Sequence, residues 1–282
     1  MKHELLGNNA QFVKFPFEDF IKGQIKNSIS AVDLTLMTPH IYIDSEECID
    51  FMGISSILKN AGIDIHTVTP MPYRYSICSS ENSIQNIKTV EYYKQCILFA
   101  ESVGANYVII TASGANYDVP SEQLMENGKK TLVKIASIAE EHGRTLLLGS
   151  VLGEESPYNA TTPVMVTLGQ VAEVIHDVNS PALKSYIDVE AISLVGETIT
   201  EWFKKLGDDI KLIRFTDGNY NGYRIWGKGC LPCEKLYREI CKNGYTGPLS
   251  LQIPGERYSD YPLEAETEMV AYLKNVMEKV VR

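Results

Sequence analysis

The sequence predicts an α/β protein that folds as one (β/α)8 barrel, and three observations support this fold class. Strand-like and helix-like segments alternate along the whole length of the 282 residues. No linker, low-complexity stretch or change of composition divides this alternation, so we expect a single domain over residues 1–282. The loops after strands three to seven are long and polar, whereas those after helices are short, which is typical of a barrel with its site on one face.

The strands are predicted from short apolar segments that contain β-branched residues, as expected when both faces of a parallel strand are buried. These segments are Leu5–Phe12, Ala31–Met37, Ile63–Val68, Tyr107–Thr111, Thr145–Leu148, Lys184–Asp188, Ile210–Phe215 and Leu249–Ile253. Helical periodicity occupies the intervals between them. The predicted helices are Pro16–Ile25, Glu46–Asn60, Ile84–Val103, Glu122–His142, Val164–Val178, Thr198–Leu206, Cys233–Asn243 and Leu263–Val280.

Eight strands that alternate with eight helices imply a parallel sheet, and eight such units close into a barrel. Gly62, Gly143 and Gly244 each follow a predicted helix and precede a strand, where a glycine can adopt positive φ. The alternative architecture is an open, doubly wound sheet. That fold usually has a glycine-rich turn after its first strand, and this sequence has none.

Charge and hydropathy exclude two classes of partner. The net charge is −10 and no stretch is strongly basic, so we expect no nucleic-acid binding. No apolar run approaches the roughly 20 residues that cross a bilayer, so we expect no membrane partner. The first residues, Met1 to Glu4, lack the pattern of a secretion signal, and the sequence therefore predicts a cytoplasmic protein.

The functional site is expected just after the barrel strands, because active sites of this fold lie at the carboxyl ends of the strands. Polar and aromatic residues follow most of the predicted strands. The candidates for ligand binding are His40, Tyr117, Glu155, Asp188, Glu190, Arg214, Arg224 and Gln252.

Several motifs in the second half of the chain carry a family resemblance. They are Tyr186-Ile187-Asp188, the segment 202–208 (WFKKLGD), Thr216-Asp217, the segment 227–232 (GKGCLP) and the segment 243–247 (NGYTG). With these motifs the sequence resembles the sugar isomerase and epimerase superfamily of xylose isomerase-like barrels, in particular ketose 3-epimerases of the fructoselysine 3-epimerase type. The resemblance covers nearly the whole chain. It implies a small-molecule sugar or sugar phosphate as ligand, and a homodimer or homotetramer.

The same resemblance implies a divalent cation, often manganese, bound by Glu, Asp, His and Glu at the ends of strands five to eight. The two glutamates would also move a proton beside the substrate carbonyl. Only Asp188 matches this set, because Gly149, Arg214 and Gln252 stand at the other positions. One carboxylate cannot replace four ligands, and a guanidinium repels a cation. We therefore predict no metal site, no cofactor and no metal-dependent epimerisation.

Arg214 suggests what replaces the cation. Asp188 and Glu190 are two residues apart on a predicted strand, so their side chains should leave the same face. The hypothesis is that Arg214, on the neighbouring strand, pairs with Asp188 and with Glu190 where the metal would lie. The alternative is sequence drift after loss of function.

Three of the remaining four candidates have two interpretations each. Glu155 either contacts the substrate or lies in a solvated loop, and His40 either lines the pocket or caps a loop. Tyr117 belongs to a group of loop aromatics suited to stacking on a sugar. Arg224 either holds a phosphate or carboxylate or is solvated.

Three functions remain open from the sequence. The first is a non-catalytic or altered family member that still binds a sugar, polyol or sugar phosphate. The second is an active isomerase that recruits Glu155, Glu190 and Asp217 for a cation. The third is a metal-free lyase or hydrolase in which Asp188 or Glu190 is the base and Arg214 holds a substrate carboxylate.

Overall fold

The computed structural model describes residues 3–50, 53–71, 75–112, 119–151 and 164–281. Eight parallel strands close into a barrel, which confirms the predicted fold class. The strands are β1 Leu5–Gly7, β2 Ala31–Leu36, β3 Tyr42–Ile43, β4 Cys48–Ile49, β5 Asp64–Pro70, β6 Tyr107–Ile110, β7 Thr145–Leu148, β8 Leu183–Asp188, β9 Ile210–Arg214, β10 Asp217–Asn219, β11 Gly222–Arg224 and β12 Leu249–Ser250. The eight barrel strands follow the order β1-β12-β9-β8-β7-β6-β5-β2 around the barrel. The other four form two short antiparallel pairs, β3–β4 and β10–β11.

Helices connect consecutive barrel strands and cover the outside of the barrel. They are α1 Phe17–Asn27, α2 Ile54–Asn60, α3 Ile84–Val103, α4 Ser121–Glu141, α5 Leu168–Val178, α6 Val189–Leu194, α7 Ile199–Leu206, α8 Cys233–Lys242 and α9 Pro262–Val281. Short 3-10 helices occupy Asn9–Phe12 and Gly207–Asp209. Within the described ranges, no helix combines the length and the apolar character needed to cross a membrane.

The barrel interior is built in layers, because alternate residues of each strand face inward. A lower layer is apolar and consists of Leu6, Ala31, Ile109, Leu147, Tyr186 and Leu212. The residues two positions further along each strand face the same interior, nearer the carboxyl ends. On β2, β8 and β9 these residues are Asp33, Asp188 and Arg214, so the upper layer is charged where the lower layer is apolar.

Two predicted elements are wrong in their extent. The first strand ends at Gly7 rather than Phe12, because the Asn8 side chain accepts the Ala10 N–H and starts a 3-10 helix. The predicted helix 46–60 begins only at Ile54. Before it, Asp44 accepts the N–H groups of two following residues and forms the turn that joins β3 to β4. In both places a side chain that bonds to nearby backbone overrides the periodicity.

Two further differences concern the segments around the site. The predicted helix 164–178 begins at Leu168, because Thr167 and Gln170 form a capping box. The structure also adds α6 directly after β8, and the antiparallel hairpin β10–β11 after β9. Neither α6 nor the hairpin was predicted from the sequence, and both contribute to the site.

Candidate functional site

A cavity of about 660 Å³ lies at the carboxyl ends of the barrel strands, where the sequence predicts a site. Residues from β5, β8 and β9, the segments after β6, β7 and β12, and the hairpin β10–β11 form its walls. The described residues that line it are Thr69, Pro70, Thr111, Ser150, Val151, Tyr186, Asp188, Arg214, Asn221, Gly222, Tyr223, Gln252, Pro254, Gly255, Glu256 and Arg257. Three of the predicted site residues, Asp188, Arg214 and Gln252, are among them.

Arg214 enters the cavity from the end of β9 and is 6% exposed. Its Nη1 donates to the Tyr186 hydroxyl at 3.4 Å, and its Nη2 donates to the Thr69 hydroxyl at 3.2 Å. The guanidinium carbon lies 4.7 Å from the centre of the Tyr186 ring, within the range of a cation–π contact. Arg214 is therefore held by an aromatic ring and two neutral hydroxyls.

Asp33 is a buried carboxyl group beneath this arrangement, and it is not among the site residues predicted from the sequence. Thr69 donates to one Asp33 oxygen at 2.6 Å, and Ser250 donates to the other at 2.7 Å. Thr69 thus bridges Asp33 to Arg214. The sequence signal for Asp33 and Thr69 was strand alternation, because alternate residues of β2 and β5 face the barrel interior.

Asp188 lies beside Arg214 on the adjacent strand, but the two side chains form no direct ion pair. Their residues are in register, yet within the described ranges the hydrogen bonds of the two side chains go to other partners and no ion pair joins them. Asp188 instead caps α6, where one oxygen accepts the Ala191 N–H at 3.2 Å, and its other oxygen accepts the Tyr223 hydroxyl at 2.8 Å. Burial raises the pKa of Asp188, while Arg214 and Tyr223 oppose the shift. The predicted pairing of Arg214 with Asp188 is wrong as a direct contact.

Glu190 does not share the face of Asp188, because β8 ends at Asp188 and Glu190 belongs to α6. Its side chain is 1% exposed and lies against the hairpin, where a Cβ on Gly218 would come within 2.5 Å of the Glu190 carboxyl carbon. Neither carboxyl oxygen has a hydrogen-bond partner in the part of the chain that is described. Burial and the neighbouring Asp188 raise the pKa of Glu190 to about 9, so the group is neutral at pH 7. The predicted pairing of Glu190 with Arg214 is therefore also wrong.

Gly149 leaves room that Tyr186 fills. A Cβ on Gly149 would lie 2.6 Å from two carbon atoms of the Tyr186 ring. The ring packs in this space and carries Arg214 on its face. The packing is thus interdependent: the Tyr186 ring needs the space that Gly149 leaves, and Arg214 stacks on that ring.

Ser150 and Gln252 place unpaired polar atoms at the cavity wall. Gln252 donates from Nε2 to the Thr35 hydroxyl at 3.3 Å, whereas its Oε1 has no partner among the described residues. The Ser150 hydroxyl is likewise buried and unpaired there. Both residues line the cavity, so the wall carries two polar side chains whose hydrogen bonds the described residues do not complete.

Asp217 organises the loop below the hairpin and is 2% exposed. One of its oxygens accepts N–H groups from Gly218 and Leu231, and the other accepts those of Gly227 and Gly229. Four backbone donors occupy this carboxylate. Asp217 is therefore a structural anion and is not available as a cation ligand.

The family model described as xylose isomerase-like TIM barrel matches residues 31–276. The chain belongs to this family. Among curated relatives, the fructoselysine 3-epimerase of Shigella flexneri is 22% identical over 244 residues, which are 85% of this chain and 86% of that protein. The fructoselysine 3-epimerase of Escherichia coli O157:H7 matches with the same identity and coverage. These matches confirm the family resemblance seen in the sequence.

A solved structure of L-ribulose 3-epimerase superposes with a TM-score of 0.77 at 15% identity, over 100% of this chain and 96% of that one. A D-tagatose 3-epimerase-like protein superposes with a TM-score of 0.75 at 17% identity, over 99% of this chain and 100% of that one. At these identities the superpositions establish that the fold is shared.

The residues present do not fit the divalent cation that the resemblance to the epimerases implies. A guanidinium, an amide and a glycine stand at three of the four ligand positions, in Arg214, Gln252 and Gly149. The Tyr186 ring fills the space beside Gly149 in which a carboxylate would have to lie. Within the described ranges, no cluster of three His, Cys, Asp or Glu side chains is suited to a metal ion.

Overpacking at Gly149 is expected to be costly in this xylose isomerase-like barrel. Gly149→Ala should lower the free energy of unfolding by about 2 kcal/mol, because the added methyl meets the Tyr186 ring. Tyr186→Leu should relieve this clash, so chemical denaturation of the single and double variants should give strongly non-additive energies. Additive effects would contradict the packing described here.

The other predicted site residues lie apart from the cavity wall or outside the described part. His40 accepts from the Asn9 amide at 3.3 Å, lies 3.3 Å from the Phe15 carbonyl oxygen and does not line the cavity. Burial lowers its pKa, in keeping with a loop-fixing role. Arg224 donates to carbonyl groups of its own hairpin and does not line the cavity. Glu155 and Tyr117 lie outside the described residues.

Proposed function

We propose that this cavity binds a sugar, polyol or sugar phosphate, and that the protein does so without the metal-dependent epimerase chemistry of its relatives. The observation that carries this proposal is the placement of Arg214, stacked on Tyr186 at the barrel mouth. In the epimerases that the sequence resembles, a histidine ligand of the cation stands at this position. A fixed positive charge thus occupies the position of a metal ligand.

The cavity itself supports small-molecule binding. Its volume of about 660 Å³ lies within the usual range for ligand pockets. Apolar surfaces of Pro70, Val151 and Pro254 alternate with polar atoms of Ser150 and Gln252. Such a mixture suits a molecule with hydroxyl groups on a carbon skeleton.

The proton-transfer groups of the epimerases have no counterpart in this wall. Gly149 and Gln252 stand where two glutamates would exchange a proton at carbon, and neither side chain titrates. General acid–base groups of this kind contribute about 10²–10⁴-fold each to such reactions. Binding without rapid epimerisation is the expected behaviour.

Metal dependence tests the proposal directly. After treatment with EDTA, the protein should bind members of a panel of ketoses, alditols and sugar phosphates in calorimetry, and manganese should not change the dissociation constants. Elemental analysis of the untreated protein should find no stoichiometric divalent metal. In D2O, the bound ketoses should not incorporate deuterium at carbon. Binding that appears only after manganese is added would overturn the proposal.

A further inference from the structure

We infer that the ligand of this cavity carries a carboxylate, so that the site selects sugar acids over neutral sugars of the same chain length. This inference rests on the proposed function, a sugar-type ligand bound without a metal, and specifies that the preferred ligand is the acid derived from such a sugar. It follows from the way in which Arg214 is buried, and from the groups around it.

Arg214 is a buried cation with only neutral hydrogen-bond partners. A guanidinium has five N–H donors, and those of Arg214 reach two hydroxyl groups at 3.2 and 3.4 Å. Its Nε–H is buried and has no partner in the described part of the chain. Burial of a charge without a direct counter-ion is costly, because the lost hydration is not replaced.

The two nearby carboxylates do not supply the missing direct partner. Both oxygens of Asp33 accept hydroxyl groups, from Thr69 and from Ser250. Both oxygens of Asp188 accept as well, from Tyr223 and from the start of α6. Asp33 and Asp188 therefore stabilise the charge of Arg214 at longer range, and the guanidinium at the cavity wall is left without a directly bonded anion among the described residues.

A carboxylate matches these donors better than a hydroxyl or a phosphate does. The planar fork of an arginine donates side by side to the two oxygens of a carboxylate, in short charge-assisted hydrogen bonds. A phosphate dianion would add a second negative charge near Asp188, opposite a single guanidinium. A neutral sugar would leave the cation without a directly bonded counter-ion.

The remainder of the wall suits the hydroxylated part of a sugar acid. Gln252 Oε1 is an unpaired acceptor and the Ser150 hydroxyl is an unpaired donor and acceptor, among the residues described. Both line the same cavity as Arg214. The two residues thus give the wall polar side chains beside Arg214, which a chain of hydroxyl groups attached to the carboxylate can contact.

The test compares ligands that differ at one carbon. Calorimetry in EDTA measures erythronate, xylonate and gluconate against erythritol, xylitol and glucitol, whose terminal carbon is an alcohol instead of a carboxylate. At least one acid should bind about tenfold or more tightly than its alditol, the usual gain from a charge-assisted hydrogen bond. Glucose 6-phosphate, in the same buffer, measures the preference for phosphate.

Arg214→Met should remove the preference for the acid while it retains most of the side-chain volume. Arg238→Met is the matched control, because Arg238 is exposed, pairs with Glu234 on α8 and does not line the cavity. It should leave the preference intact. The comparison in the native protein needs no variant, so a folding defect in Arg214→Met does not prevent the test.

The outcomes separate this inference from the proposed function. Equal binding of acids and alditols, tighter binding of the phosphate, or a preference for the acid that survives Arg214→Met overturns the inference alone. The absence of binding by every sugar, polyol, phosphate and acid overturns the proposed function as well.

Discussion

Asp217→Ala is expected to lower the free energy of unfolding by about 4 kcal/mol, because four backbone N–H groups lose a charged acceptor at once. The carboxylate is buried, so water does not readily replace it. The loop from Gly227 to Leu231 should lose its fixed conformation first. β10 begins at Asp217, and β11 ends at Arg224, which pairs with Asp217. We therefore expect the hairpin to become more mobile, so that the hydrogen bond from Tyr223 to Asp188 weakens too.

Urea denaturation and amide hydrogen exchange measure these two effects. Asp208→Ala is the control, since Asp208 is an exposed aspartate for which a change within about 0.5 kcal/mol is expected. Exchange should accelerate at Gly227, Gly229 and Leu231 in the Asp217 variant only. A loss of stability no larger than that of the control would show that the four bonds do not hold the loop.

Glu266→Gln is expected to stabilise the protein by about 3 kcal/mol at pH 8, because it removes the ionisation of a buried carboxyl group. Glu266 is 9% exposed, on the inner face of α9 against α1. Its oxygens accept from the amides of Gln24 and Asn27, at 3.0 and 3.2 Å. The nearby Lys274 donates to the Asn27 carbonyl instead of to Glu266. Neutral amides thus surround the carboxyl group.

The direction of the pH dependence follows from the raised pKa. Burial raises the pKa of Glu266 to about 7, whereas its value in the unfolded chain is the ordinary 4.5. Between these values the folded state retains a proton that the unfolded state has lost. The contribution of Glu266 to stability is therefore greatest below pH 4.5 and is lost as the pH rises to 7.

Thermal and urea unfolding from pH 5 to pH 8 test this dependence. The difference between Glu266→Gln and the native protein should grow with pH over this range and level off above pH 7. Glu264→Gln changes an exposed glutamate two residues earlier in α9 and should show no such growth. Parallel pH profiles for Glu266→Gln and the native protein would contradict the raised pKa.

The fold was predictable because the signals for it are local and repeated. Each strand is apolar, each long helix is periodic, and glycines such as Gly62, Gly143 and Gly244 separate one unit from the next. The errors occurred at Asn8 and Asp44, where a single side chain bonds to the backbone nearby. Periodicity does not register such bonds, since it averages over many residues.

The site was predictable in position but not in its pairing. Strand ends located Asp188, Arg214 and Gln252 at one cavity, and sequence spacing alone suffices for that. The partner of each charge depends on side-chain direction, and α6 turns Glu190 away from Arg214. The link from Thr69 to Asp33 joins strands that adjoin in the barrel, and strand alternation indicates that both side chains face inward but not that they bond to each other.

The close packing of Gly149, Tyr186 and Arg214 restricts which substitutions could give this barrel a cation site. A carboxylate introduced at position 149 alone would meet the Tyr186 ring. A histidine introduced at position 214 alone would remove the guanidinium that Thr69 links to Asp33. Each single substitution is therefore expected to disturb the packing or the hydrogen bonds of the cavity wall. A cation site at these positions would require coordinated changes.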